Sequence, residues 1–235
     1  MIFIGVSPGG RGRFAVTALY FNGRLPASII ATMVQSGVDE VLGRVVGLVG
    51  EWSELSGVAI AAPLTWSGVQ SGWRDCDAEA KRLLPAWAPK SWWRPPNVLP
   101  GSIAVQGPAL AWALAREVKG GVLPQHRLYE THPRTSLALA AGDLKAAILA
   151  YRAPGTPAAQ RRKHIARLLE TFRDAGAVKS EVDPPESPDE LDALICAVTA
   201  LGAVAPESGL VVHELAGGDI RPVGKRALAI LKALP

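Results

Sequence analysis

The N-terminal part of the chain constrains the fold most, because it contains three runs of strand-forming residues joined only by short turns. The runs are Ile2–Val6, Phe14–Tyr20 and Leu25–Val34. The breaker sequence Ser7-Pro8-Gly9-Gly10 follows the first run, and Asn22-Gly23 follows the second. Turns of this length join strands that pair antiparallel. The sequence therefore predicts an antiparallel meander, with the glycines forming a tight hairpin turn rather than a phosphate loop.

The next segments predict helices and a buried parallel strand. Apolar residues recur at helical spacing over Val38–Trp52. The short run from Val58 to Pro63 is wholly apolar, which is typical of a buried strand paired in parallel with the first. Further segments are predicted as helices (104–118, 158–174 and 189–204) and as a short strand (127–131). The fold class is therefore α/β, with antiparallel strands first and parallel strands later.

The remaining segments complete the predicted organisation. Thr135 is expected to cap a helix that runs to Ala141. Near the C-terminus, residues 210–214 and 219–222 are expected to form a hairpin, and residues 225–234 a terminal helix. Nothing resembles a linker, so residues 1–235 are predicted as a single domain. That domain contains an irregular Trp/Pro-rich insertion at about 64–100.

Composition excludes several classes of protein. The chain is 49% hydrophobic and 20% charged, which excludes a disordered or collagen-like chain. Its net charge of +4 permits a nucleic-acid partner without requiring one. Cys76 and Cys196 form no zinc or disulfide pattern, and no signal peptide or membrane-spanning run is present. We therefore expect a cytoplasmic protein with no membrane partner.

The Trp-rich insertion leaves two interpretations open. Tryptophans and cations alternate there: Trp66, Trp73, Trp87, Trp92 and Trp93 with Arg74, Lys81, Arg82, Lys90 and Arg94. Aromatic rings stack on unpaired bases while cations meet phosphates, so the segment suits nucleic acid. The same residues are enriched where proteins bury surface, so packing of the tryptophans on the sheet or in a homo-oligomer interface is the favoured interpretation.

Four motifs, in a fixed order, suggest a family. The first is the turn Gly5-Val6-Ser7-Pro8-Gly9-Gly10, and the second is Ile60-Ala61-Ala62-Pro63 together with the later Arg74-Asp75-Cys76-Asp77. The third is the strand end Glu130-Thr131-His132-Pro133, and the fourth is the helix start Asp189-Glu190-Leu191-Asp192-Ala193. In this order the chain resembles domain-of-unknown-function family 429, whose members are predicted nucleases with an RNase H-like (RuvC-like) fold. The resemblance implies a five-stranded mixed sheet with strands 1–3 antiparallel and helices on both faces.

The resemblance also implies a chemistry. Metal-dependent phosphodiester hydrolysis uses Mg²⁺ or Mn²⁺ held by carboxylates. In this chain Glu130, Asp189 and Asp192 would be the metal ligands, with His132 as a further catalytic group. Arg74, Asp77 and Ser7 would contact the substrate.

Two positions depart from the family pattern. The Asp usual at the end of strand one is Ser7 here, and the Asp usual on the later parallel strand is Ala61. Two hypotheses therefore stand side by side: a metal-dependent nuclease, and a non-catalytic nucleic-acid- or protein-binding member of the same fold. An enzyme for a small phosphorylated molecule is a third hypothesis.

The same residues also have structural interpretations. Glu130 is equally expected to be the ion-pair partner of an arginine such as Arg74 or Arg134. Asp189 is expected either at a site or simply in the first helical turn, with Ser187 or Asp189 as the cap. Arg74 and Asp77 are expected to hold the irregular segment in place, and His132 to support neighbouring groups.

Overall fold

A computed structural model describes residues 1–10, 12–52, 55–65, 67–68, 70–99, 103–118, 127–180, 183–215 and 228–234. The helices are α1 (Val38–Trp52), α2 (Asp75–Leu83), α3 (Ile103–Val118), α4 (Pro133–Ala140), α5 (Lys145–Ala150), α6 (Ala158–Asp174) and α7 (Pro188–Val204). The strands are β1 (Ile2–Gly10), β2 (Arg13–Tyr20), β3 (Ala27–Ser36), β4 (Leu55–Ile60), β5 (Leu128–Glu130), β6 (Val178–Ser180), β7 (Val211–Leu215) and β8 (Leu228–Ala233).

The strands form one mixed sheet in the order β6-β3-β2-β1-β4-β5-β8-β7. β1, β2 and β3 pair antiparallel, whereas β4 is parallel to β1 and β5 is parallel to β4. Gly12, with φ +77°, lies in the turn between β1 and β2, in a conformation that glycine adopts without strain. The predicted meander, its hairpin turn and the parallel β1–β4 pairing are confirmed.

Helices cover both faces of this sheet. Strand alternation places Ile2, Ile4 and Val6 of β1 in a core with α1 and α3. Phe3 belongs to the opposite core, which contains the buried residues of α6 and α7. The mixed sheet with antiparallel strands 1–3 and helices on both faces is the RNase H-like arrangement that the resemblance implies. The sheet has eight strands rather than five, because three short strands extend its edges.

One close approach fixes α7 against the sheet. A Cβ atom on Gly5 would lie 1.8 Å from the carbonyl oxygen of Ala193, so only glycine allows this contact. α7 begins with a capping box, in which the Ser187 hydroxyl accepts from Glu190 N–H and the Glu190 carboxylate accepts from Ser187 N–H. The prediction of Ser187 as the cap is confirmed. Asp189 and Asp192 are thereby held near the end of β1.

The C-terminal predictions were partly wrong. β7 pairs antiparallel with β8, which occupies part of the segment predicted as a terminal helix. β8 also pairs with β5, so sheet pairing on two sides outweighs the helix-forming residues of the segment. The expected second hairpin strand, 219–222, lies outside the described residues.

The Trp-rich insertion packs against the rest of the domain, with Leu215 in its small core and Leu139 packed against that core. Trp93 is buried in a small core with Cys76 and Leu84, and Trp73, Trp87 and Trp92 pack against this core as half-buried residues. Trp66 lies outside the described residues. The described tryptophans therefore follow the packing interpretation, and a homo-oligomer interface through this segment remains a prediction.

Candidate functional site

A pocket of about 200 Å³ opens at the carboxyl ends of β1, β4 and β5. Ligand sites of open α/β sheets commonly lie at this edge. The pocket brings together residues from the four sequence motifs and the insertion, and two arginines from outside them, Arg134 and Arg152. The motif and insertion residues are Ser7, Ala61, Asp77, Glu130, His132, Asp192, Trp92, Trp93 and Arg94. Ser7 and Ala61, at the positions where the resemblance led us to expect Asp, are both in its lining.

Arg74 joins two buried carboxylates on one side of the pocket. Its guanidinium donates to both oxygens of Glu130, at 2.5 and 2.7 Å, and to both oxygens of Asp77, at 2.5 and 2.9 Å. A further bond of 3.0 Å reaches the Thr65 hydroxyl. Glu130 also accepts from Leu64 N–H at 2.9 Å. The Arg74 cluster (Arg74, Asp77 and Glu130) thus ties α2 to β5 and to the segment after β4.

Burial and pairing act in opposite directions on Glu130. Its side chain is 6% exposed. Burial raises the pKa of the Glu130 carboxyl, and the charge and hydrogen bonds of Arg74 oppose that rise. Because Arg74 uses its donors on these carboxylates and on Thr65, the cluster fits the structural interpretation of Arg74, Asp77 and Glu130.

A second arginine holds the carboxylates of α7. Arg152, just after α5, donates to Asp189, and its Nε lies 2.7 Å from Asp192 Oδ2. The latter is a charge contact outside hydrogen-bond alignment. The hydroxyl of buried Tyr151 donates to Asp192 Oδ1 at 2.8 Å. The Arg152 cluster (Arg152, Tyr151, Asp189 and Asp192) therefore engages both oxygens of Asp192.

This second cluster is more open than the first. The side chains of Arg152 and Asp189 are 26% and 34% exposed, and that of Asp192 is 8% exposed. Burial raises the pKa of Asp192, and the charge of Arg152 and the Tyr151 hydrogen bond oppose this.

His132 is held by its neighbours through both ring nitrogens. Nδ1 accepts from Thr135 N–H at 3.2 Å and lies 2.9 Å from the Thr135 hydroxyl, which in turn accepts from Trp93 Nε1–H at 2.8 Å. Because Nδ1 accepts from a backbone N–H, Nε2 carries the proton and donates to the Trp92 carbonyl at 3.2 Å. Burial lowers the pKa of His132 to about 4. The imidazole is therefore neutral at pH 7, with its lone pair engaged.

His132, and not Thr135, caps α4, so the expected cap was wrong. Pro133 occupies the first helical position, which shifts the helix start towards the N-terminus and leaves Thr135 inside the first turn. The ring of His132 stacks on Trp93, with centroids 4.4 Å apart. This geometry supports the structural interpretation of His132, and its catalytic role remains a prediction.

Two further arginines stand at the pocket without a carboxylate partner among the described residues. Arg134, half-buried, lies over the ring of half-buried Trp92, with its guanidinium carbon 5.6 Å from the ring centroid. Arg94 is exposed. The pocket thus combines arginines with an aromatic wall.

A family model confirms the resemblance. The model for a protein family of unknown function, DUF429, matches residues 9–214. The chain belongs to the DUF429 family. No curated protein matches it.

Solved structures similar to this DUF429 chain include two of RuvC from Thermus thermophilus. One is described as a RuvC structure, and it has 16% identity, a TM-score of 0.42, and coverage of 86% of this chain and 95% of that one. The other is RuvC in complex with a Holliday junction substrate, with the same identity and coverage and a TM-score of 0.41.

The donor groups of this DUF429 protein do not suit the predicted metal. Glu130 lies two residues after Leu128 on β5, so both side chains are on the face of the sheet that packs against α1 and α3. Asp192 is on α7, which covers the opposite face. Each carboxylate already has an arginine. No group of three acidic, histidine or cysteine side chains in the described ranges is placed to share an ion. Without Asp at positions 7 and 61, the arrangement does not fit Mg²⁺ or Mn²⁺.

The sequence therefore identified most of the pocket, including Arg74 as the ion-pair partner of Glu130, but not Arg152. Ser7, Asp77, Glu130, His132 and Asp192 line it, Arg74 holds two of them, and Asp189 contacts it through Arg152. Arg152 and Tyr151 were missed, because they follow a short helix and carry no motif. Arg134 lies directly after the His132-Pro133 motif, which is the one local signal that pointed to it. In the described part of the chain, no helix has the length and apolarity to cross a membrane.

Proposed function

We propose that this protein is a non-catalytic, RNase H-like binding protein, whose pocket takes the phosphates of a nucleic-acid strand. One observation carries the proposal: the pocket acids are bound by Arg74 or Arg152, while Arg94 and Arg134 keep their charges for a ligand. A guanidinium forms paired hydrogen bonds with phosphate oxygens, which favours arginine in phosphate recognition.

The charge balance of the pocket supports an anionic ligand. Asp77 and Glu130 share Arg74, and Asp189 and Asp192 share Arg152, so each pair of acids faces one buried or half-buried cation. Burial raises the pKa of Glu130 and Asp192, and the paired arginines oppose that rise. Arg94 and Arg134 bring the arginines to four against four carboxylates, and these two guanidinium groups are the ones available to a phosphate.

The aromatic wall supports a nucleic-acid ligand over a bare anion. Trp92 is partly exposed beside the opening, and Arg134 lies on its ring. Base–aromatic stacking contributes about 1–3 kcal/mol per base, and arginine adds cation–π attraction. An unpaired strand presents both a base face and phosphates, whereas a duplex keeps its bases stacked inside. We therefore expect single-stranded nucleic acid to bind more tightly than duplex.

The experiment is fluorescence anisotropy with a labelled single-stranded oligonucleotide, in chelator, over a series of salt concentrations. Log affinity should fall linearly with log salt. Arg134→Ala and Arg94→Ala should each reduce the slope by about 0.7, the value for one phosphate contact on a single strand. Arg44→Ala is the matched control, because Arg44 is an exposed arginine of α1, in the layer opposite α7.

Two results would overturn the proposal. One is binding that does not respond to salt, or that responds equally to Arg44→Ala and Arg134→Ala. The other is cleavage of single-stranded, branched or hybrid substrates with Mg²⁺ or Mn²⁺ that an Asp192→Asn variant loses. That second result would favour the metal-dependent nuclease instead.

A further inference from the structure

The predicted metal and the observed arginines compete for the same oxygens. Asp189 and Asp192 lie three residues apart on α7 and so share one helical face. Carboxylates at this spacing repel each other unless a cation lies between them. Arg152 fills that place, since its guanidinium contacts both side chains at once.

We propose that Arg152 is a built-in counter-ion that replaces a divalent cation at Asp189 and Asp192. The inference deepens the proposed function, on which it rests for the identity of the pocket, because a site with its own cation binds phosphate without metal. Arg152 is also the more accessible of the two cluster arginines, at 26% exposure against 3% for Arg74, so its removal opens the carboxylates to solvent.

The neighbouring contacts show why the replacement is complete. Tyr151 donates to Asp192 Oδ1, and Arg152 faces Oδ2, so each oxygen already has a partner. Gly9 of β1 lies beside the second carboxylate, since a Cβ atom there would lie 2.5 Å from Asp189 Oδ2. A metal could bind here only where the guanidinium has been removed.

The proposal therefore predicts that removing Arg152 creates a cation site. Mn²⁺ binding is measured by calorimetry and by the paramagnetic signal of the free ion, for the whole chain and without nucleic acid. Arg152→Gln and Arg152→Ala should bind Mn²⁺ about tenfold or more tightly than the unmodified protein, because two carboxylates lose the guanidinium that contacts both of them. Arg152→Gln keeps the three-carbon stem of arginine and a polar end without the charge, so it serves where Arg152→Ala fails to fold.

Two further variants test whether a gain in Mn²⁺ affinity comes from freeing the carboxylates or only from removing a positive charge from the pocket. Arg134→Ala removes the same charge from the same pocket but frees no carboxylate, so it should gain no Mn²⁺ affinity. Adding Asp192→Asn to Arg152→Gln should abolish the gained affinity. Mn²⁺ should also raise the melting temperature of Arg152→Gln alone, since a ligand of the folded state stabilises it.

The inference fails if the unmodified protein binds Mn²⁺ as tightly as Arg152→Gln, or if folded Arg152→Gln gains no affinity over Arg134→Ala. Neither result depends on nucleic-acid binding. Loss of the proposed function would appear instead as unchanged oligonucleotide affinity in Arg94→Ala and Arg134→Ala.

Discussion

The Arg74 and Arg152 clusters use the same chemistry in different surroundings. Each joins one arginine to two carboxylates, but the Arg74 side chain is 3% exposed and the Arg152 side chain is 26% exposed. A buried ion pair that loses one partner leaves an uncompensated charge, whereas water screens an exposed pair. The comparison indicates that the Arg74 cluster stabilises the fold around the pocket. The Arg152 cluster is the one in which the cation can be exchanged.

The largest difference is expected for Arg74→Ala. The substitution leaves Asp77 and Glu130 buried without a cation, which should lower the free energy of unfolding by about 3–5 kcal/mol. Urea denaturation followed by circular dichroism measures the loss. Arg152→Ala is the matched comparison and should lose clearly less. If the two variants are equally destabilised, the distinction between a structural and an exchangeable cluster is wrong.

An intermediate effect is expected at His132, in the pocket wall between the two clusters. Burial lowers its pKa in the folded protein to about 4, against an ordinary value of 6.5. The unfolded chain therefore binds the proton first, so stability is present above pH 6.5 and is lost as pH falls towards about 4. The expected loss is about 2–4 kcal/mol. It is measured by urea unfolding at a series of pH values.

His132→Asn provides the control for this prediction. Asparagine caps a helix well but does not titrate, so the variant should lack this part of the pH dependence. Glu130 and Asp192 act with the opposite sign, because a raised carboxyl pKa favours the folded state as pH falls. Both proteins contain these groups, so the difference between them reports His132. Identical pH profiles would contradict the assignment of a buried, neutral imidazole.

The smallest effect is expected for Asp189→Asn. The Asp189 side chain is 34% exposed, and Arg152 still has Asp192 as a partner. Partly exposed ion pairs contribute about 0–1 kcal/mol, so the free energy of unfolding should change by no more than about 1 kcal/mol. Asp77→Asn, in the buried cluster, is the comparison in the same urea experiment. A larger loss for Asp189→Asn than for Asp77→Asn would reverse the ranking of the two clusters.

The elements that the sequence predicted well are those with a clear local period. The three N-terminal strands, α1 and β4 show either alternation or helical spacing, and each pairs or packs with a neighbour along the chain. β8 was missed because Leu228–Ala233 consists mostly of alanine and leucine, which favour a helix locally. Its strand conformation comes from pairing with β7, a contact that local spacing does not reveal.

The candidate site was predictable in its acids and in Arg74, which was expected as an ion-pair partner of Glu130, but not in Tyr151 and Arg152. The carboxylates follow strand ends and a helix start, and such positions are visible as motifs. Tyr151 meets Asp192 across 41 positions of sequence, and Arg152 meets Asp189 across 37. Pairings at these separations depend on the tertiary fold. The tautomer of His132 likewise follows from Trp92 and Thr135, which only the folded chain brings to its two nitrogens.

The contact of Gly5 with α7 has a consequence for how this fold can diversify. The spacing between helix and strand there is set by main-chain atoms, which every sequence shares, and not by interlocking side chains. Replacing Ser7 by an acid, or the Arg152 guanidinium by a metal ion, therefore leaves the distance between β1 and α7 unchanged. Chains that keep glycine at position 5 can exchange the residues that line the pocket while keeping the same cleft.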